Sequence, residues 1–257
     1  INHVGQSPDN IGDSLRGVSS VEPGGSHEQL LASSQHALKQ VSTSYVHPRA
    51  RMSQPHTLTA APKTDFWRKP PSLDTANAPT QLTRISSRSF TRARVTVRAR
   101  WERLYDQGGF FIVFPSGRSS GTASRGDAGA SGAVDVAGRF WMKAGMEFFH
   151  GRPNISVVAS REWSDWSLTP LSGGGPEAEV TLEVEREPID TAEGKGSSLF
   201  VYVVRDGVRD EIPFREVTWA FEKEGEMQVG TYAARPTALK DGDDEQLEVH
   251  FEGLRCE

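Results

Sequence analysis

The sequence predicts an all-β protein, a sandwich of two antiparallel sheets. Three observations lead there. Short segments alternate apolar and polar residues with a period of two. Turn signals separate these segments at close intervals, among them Asp206-Gly207 between two apolar runs. Helical periodicity is confined to one short stretch, and repeated strands with turns and little helix are the pattern of a sandwich.

The elements follow in order. Residues 1–41 are rich in Ser, Gly, Gln, His and Asn, with few large apolar side chains. They read as a low-complexity, disordered tail in which Glu28 to Gln40 makes a short helix. The sandwich is expected over 42–257. In RARVTVRARW, Ala93, Val95, Val97, Ala99 and Trp101 point one way, and Arg92, Arg94, Thr96, Arg98 and Arg100 the other. The run at 115–138 is dominated by Gly, Ser and Ala and reads as a long loop inserted in a hairpin. Its Arg125-Gly126-Asp127 tripeptide and the sequon at Asn154-Ile155-Ser156 are both read as chance occurrences. EAEVTLEVE buries Val180, Leu182 and Val184 and turns Glu177, Glu179, Thr181, Glu183 and Glu185 outward. LFVYVVRDGVRDEIPF is a hairpin, and EMQVGTYAA and EQLEVHFEGL are further strands. An arginine face could hold phosphate or an anionic polymer. The matching order of two charges, a threonine and two charges favours cross-strand pairing instead, so the Arg-bearing and Glu-bearing strands are expected to be neighbours.

Bulk properties narrow the function classes. A chain of 257 residues fits one large all-β domain. Its net charge of -5 argues against a nucleic-acid partner. One cysteine, Cys256, excludes an intrachain disulfide and fits a reducing compartment. No apolar run reaches the roughly 18 residues of a membrane span, and no signal-peptide core is visible. The expected location is the cytoplasm, without membrane association.

Five segments together resemble a known family. They are TDFWR (Thr64 to Arg68), LYDQGG (Leu104 to Gly109), WMKAGMEF (Trp141 to Phe148), ISVVAS followed by SDWS (Ser164 to Ser167), and VGTYAARP (Val229 to Pro236). In this order they are similar to the regulation-of-enolase family, over roughly residues 42–257. The resemblance implies a concanavalin A-like jelly roll of the lectin and glucanase class. It implies no particular reaction, and it suggests a metabolic-enzyme partner. The long loop at 115–138 and the stretch REPIDTAEGKGSSLF depart from the family pattern.

On such a sandwich, strand faces sort the candidate site. In WMKAGMEF, Met142, Ala144, Met146 and Phe148 face the core. Trp141, Lys143, Gly145 and Glu147 face away. With the same sorting on neighbouring strands, the concave face collects Gln107, Trp141, Lys143, Glu147, Asn154, Ser156, Gln228 and Tyr232. Trp166 is added from a loop. Amides, hydroxyls, a carboxylate and flat aromatics suit a carbohydrate or another small polar ligand. Gly109 and Gly145 would let a ligand or loop approach closely. Asp65, Trp67 and Arg68 cap one end of this groove, or form an Asp–Arg pair that fixes a loop. A solvated or loop-covered face is the alternative.

No catalytic residue, metal ligand or cofactor is assigned. Glycoside hydrolysis needs two carboxylates about 5–9.5 Å apart, depending on mechanism. Glu147 has Gly145 and Phe149 as its same-face neighbours, and Lys143 lies about 13 Å along the strand. Asp106 is one position off the face, and Asp165 is expected on a loop. No nucleophile elbow, metal-spaced histidine pair or phosphate loop is present, and His150 and His250 read as structural. The expected function is therefore non-catalytic binding of a carbohydrate or small polar ligand, in a regulator of carbohydrate metabolism. A protein-interaction module is the alternative, and a glycoside-active enzyme is the third reading.

Overall fold

A computed structural model describes residues 51–52, 54–115, 134–188 and 196–257. The expected tail at 1–41, the helix at Glu28 to Gln40, the Arg-Gly-Asp tripeptide and most of the two long inserts lie outside the described residues. Among the described residues there are sixteen strands. They are β1 (Arg51–Met52), β2 (His56–Ala60), β3 (Phe66–Lys69), β4 (Leu73–Ala76), β5 (Thr80–Ser86), β6 (Arg92–Ala99), β7 (Gln107–Val113), β8 (Trp141–Phe149), β9 (Arg152–Ser160), β10 (Ser164–Pro170), β11 (Glu179–Arg186), β12 (Leu199–Arg205), β13 (Val208–Arg209), β14 (Arg215–Val217), β15 (Glu226–Ala234) and β16 (Leu247–Cys256). Among the described residues there is no helix, and so none long and apolar enough to cross a membrane.

The expected concanavalin A-like jelly-roll sandwich is the fold. One sheet has eight strands, in the order β1-β16-β6-β11-β12-β13, with β2 beside β16 and β14 beside β12. The other has six, in the order β10-β9-β8-β7-β15-β5. All strand pairings are antiparallel. Between the sheets, Val95, Val97, Leu182, Val184, Met142, Met146 and Val157 form the main core, on the faces that period-two alternation assigns them.

The charged strands are neighbours, as expected. In the β6–β11 register Arg98 faces Glu179, Thr96 faces Thr181, Arg94 faces Glu183 and Arg92 faces Glu185. Arg94 reaches Glu183 at 2.7 Å, and the two threonine hydroxyls share a hydrogen bond of 2.8 Å. Arg92 and Arg98 turn instead to Glu257 and Glu252 near the C-terminal strand, so one arginine row serves two flanking carboxylate rows. The Asp206-Gly207 turn has φ of 52° and 79°, the doubly left-handed geometry of a two-residue hairpin, which Gly and Asp accept at least cost.

One imidazole ties the two sheets together. His56 on β2 shares a 2.9 Å hydrogen bond with Thr231 of β15, and its ring stacks on Phe251 with centroids 5.1 Å apart. Burial lowers its pKa below the ordinary 6.5, against a hydrogen bond to the Gln54 carbonyl that raises it. The neutral ring is therefore the native form. Its stabilising contribution is complete above pH 6.5 and is lost as the pH falls from there through the lowered native value. His56→Gln is expected to flatten the slope of stability against pH in this window, read from urea midpoints at successive pH values. An unchanged slope would show that the ring is not buried as neutral imidazole.

Candidate ligand site

The far face of the six-stranded sheet is not an open groove. The β3–β4 hairpin packs on it, and a second, smaller core forms beneath. Phe66 stacks on Phe111 at 4.1 Å, with Trp141 and Tyr232 beside them at 6.2 and 6.3 Å. This placement follows from β7 (QGGFFIV), which is apolar on both faces: Phe110 and Ile112 enter the main core, and Phe111 and Val113 enter the second. Arg68 fastens the hairpin. Its guanidinium donates to the carbonyls of Val136 (2.8 Å), Arg139 (2.9 Å) and Arg161 (2.7 Å) and pairs with Asp74 (3.1 Å). The expected Asp65–Arg68 pair is thus corrected, since the two residues on alternate faces of one short segment find different partners.

What remains of the face is a cavity of ≈ 320 Å³, lined by Asp65, Trp67, Tyr105, Gln107, Lys143, Glu147, Val158, Trp166 and Pro236. Lys143 donates to Asp65 at 2.7 Å, and its ammonium lies 5.9 Å from the centre of the Tyr232 ring. Gln107 donates to Asp65 at 3.3 Å and accepts from the Tyr232 hydroxyl at 3.2 Å. Glu147 accepts from Ser156 at 2.6 Å and from the Trp166 indole at 3.1 Å, both through Oε2. The Trp67 and Trp166 rings stand at 88° to each other, and Tyr105 meets Trp166 edge-on. Tyr105 itself has φ of 68°, a left-handed backbone that costs a non-glycine residue about 1 kcal/mol or more. The surrounding contacts hold it there, and its ring stacks on Phe149.

Burial raises the Glu147 pKa above its ordinary 4.5, and the Asp65 charge adds to this. Lys143, Ser156 and Trp166 act in the opposite direction. The unfolded chain therefore ionises first as the pH rises. The stability linked to this group is complete below pH 4.5 and declines as the pH climbs through the raised native value. Glu147→Gln, which keeps an acceptor for Ser156 and Trp166, is expected to melt higher than the parent at neutral pH and level with it near pH 4, by calorimetry at the two pH values. A lower melting temperature at neutral pH would show that the charge stabilises the fold.

A larger depression of ≈ 1400 Å³ lies over the outer face of the eight-stranded sheet and the 171–178 loop. Of its lining residues, Arg94 is already paired with Glu183, and Thr96 and Thr181 share a hydrogen bond with each other.

Residues 47–257 match the family model described as "Protein of unknown function (DUF1349)". The chain belongs to this DUF1349 family. An uncharacterised protein of Emericella nidulans is 41% identical over 203 residues, which is 78% of this chain and 85% of that protein. Regulation of enolase protein 1 of Saccharomyces cerevisiae is 28% identical over 130 residues, 51% of this chain and 54% of that protein, so the match spans about half of that relative. The crystal structure of a functionally unknown protein from Saccharomyces cerevisiae superposes with a TM-score of 0.54 at 24% identity, over 79% of this chain and 89% of that one, a likeness of fold. The family resemblance carried by the five segments is borne out.

The nine residues that line the DUF1349 cavity all fall inside those five segments. Segments far apart in sequence are joined to one another there: Asp65 to Lys143, Trp166 to Glu147, and just behind the cavity Asp106 to Arg235.

Of the sequence-derived site residues, Gln107, Lys143, Glu147 and Trp166 line the cavity, and Ser156 supports Glu147 from behind. Trp141 and Tyr232 are 0% and 1% exposed and belong to the second core. Asn154 is also buried, and its amide donates to the carbonyls of Glu147, Phe149 and Arg152, bracing the β8–β9 turn. Gln228 sits elsewhere on the sheet, opposite Val113 and Arg84. Trp166 lies on edge strand β10 rather than on a loop, and Asp165 on the same strand pairs with Arg215. Asp106, one position off the face, is buried against Arg235 just behind the cavity. Gly109 and Gly145 face each other across β7 and β8, and what approaches them is the neighbouring strand, not a ligand. Tyr105, Val158 and Pro236 complete the lining, and Asp65 and Trp67, expected to cap one end of the groove, are part of it. Asp65 and Trp67 arrive on the hairpin from about 80 residues upstream of β8, and only their membership in a family segment marked them.

Proposed function

We propose that the cavity binds a carbohydrate or a comparable small polar ligand, and that the protein acts by holding it rather than by transforming it. The observation that carries this reading is the convergence of all five family segments on one small cavity with charged, amide and indole walls. Two perpendicular tryptophans supply flat apolar surface for a ring face. Lys143 and Glu147 supply a donor and an acceptor, each held in place by a protein partner. The name of the yeast relative supports a regulatory setting in carbohydrate metabolism. Titration calorimetry guided by a glycan array and a panel of central metabolites tests the reading. Glu147→Gln is expected to weaken binding by about 10–100-fold, the worth of a hydrogen bond to a charged group, while the protein stays folded. Absence of binding across array and panel would overturn it.

One observation favours a second reading, a glycoside-active enzyme. Asp65 provides, from the hairpin, the second carboxylate that strand β8 lacks, and it lies close enough to raise the pKa of Glu147. The two acids would then divide the roles of proton donor and base or nucleophile. Turnover of aryl glycosides that is abolished in Glu147→Gln and Asp65→Asn would establish it.

A further inference from the structure

We propose that the cavity takes a single sugar ring, free or at the end of a chain, and not an internal segment of a polysaccharide. This rests on the binding reading above and adds its mode. A polymer lying along an open sheet face meets a succession of sites. Here the face runs from the cavity directly into packed side chains: Phe66, Phe111 and Trp141 are all 0% exposed. The hairpin that covers them cannot lift aside cheaply. Moving it would strand the buried Arg68 guanidinium and the three carbonyls it serves, groups that are costly to leave unpaired. A chain entering the cavity is therefore stopped on the hairpin side.

The size agrees. A cavity of ≈ 320 Å³ is at the lower end of ligand sites, which span about 300–1,000 Å³. The polar groups also match one ring. Both hydrogen bonds to the Glu147 carboxylate among the described residues use Oε2, which leaves Oε1 for a ligand hydroxyl. Lys143 gives one proton to Asp65 and has others for a neighbouring hydroxyl oxygen. Lys143 and Glu147 line the same small cavity, so hydroxyls of one ring can meet both.

The test is calorimetric titration with common hexoses, hexosamines and hexuronates, then with linear oligosaccharides of the sugar that binds, from disaccharide to hexasaccharide, and with a cyclic oligosaccharide of the same sugar. The expected result is an affinity that is flat with chain length, is absent for the cyclic form and is lost in Glu147→Gln. An affinity that climbs about tenfold or more from disaccharide to hexasaccharide, or a cyclic form that binds as well as the linear one, overturns the end-on mode and leaves the binding reading standing. Sugar binding untouched by Glu147→Gln places the ligand elsewhere and overturns the proposal. Binding of no sugar in the panel overturns the single-ring proposal, and silence of the central-metabolite panel as well overturns the binding reading.

Discussion

Asp106→Ala is expected to destabilise the protein by about 3–5 kcal/mol, the cost of stripping one partner from a buried ion pair. Asp106 is 0% exposed and Arg235 is 2% exposed. The guanidinium spans both carboxylate oxygens, Nε to Oδ1 at 2.8 Å and Nη2 to Oδ2 at 2.9 Å. The same carboxylate accepts from the backbone amides of Glu102 and Arg103, so its loss also leaves donors of the 101–106 turn unpaired. Arg235 would remain buried, and among the described residues its guanidinium would keep only the carbonyl of Glu245 as a partner. The pair lies between β7 and β15, next to the cavity-lining Gln107 and Pro236, so binding is expected to fail along with stability. Urea midpoints at equal transition slope measure the loss. A loss below about 1 kcal/mol would show that the two groups are solvated rather than buried. Asp106→Leu with Arg235→Met should recover part of the stability, because an apolar pair needs no mutual neutralisation.

Gly145→Ala is expected to be comparably damaging, at about 3 kcal/mol or more. A Cβ at Gly145 would lie 2.0 Å from the Gly108 carbonyl oxygen and 2.7 Å from the Gly109 Cα. The reciprocal substitution meets the Ala144 carbonyl oxygen at 2.2 Å. Both obstacles are backbone in the middle of a registered ladder, so neither can swing away. Gly145 is flanked by Lys143 and Glu147, and any local parting of β7 from β8 moves both off the cavity. Gly151→Ala is the control. It has φ of 73° and open space around it, so it costs only the left-handed strain of about 1–2 kcal/mol and should leave ligand binding intact. Soluble yield and urea midpoints separate the two variants. Equal, small effects would mean that the strands are spaced more widely than the structure has them.

The strands themselves are determined by sequence alone, because a period of two assigns each side chain to a face without reference to any other segment. That is why Met142, Ala144 and Met146 on β8, Ile155 and Val157 on β9, and the opposition of the Arg and Glu strands could all be read from local pattern. Repeated strands and turns gave the sandwich, and the order of five short family segments implied its jelly-roll class. What a face meets is a tertiary matter. Trp141, Lys143 and Glu147 share one face by alternation, yet the first is sealed under Phe66 while the other two line a cavity. The difference arises because a hairpin from residues 66–76 covers part of the sheet, held by an arginine whose partners come from residues 74, 136, 139 and 161. Along one strand Lys143 and Glu147 stand apart as unrelated charges. Asp65 and Trp166, brought in from other strands, are what make them two walls of one site.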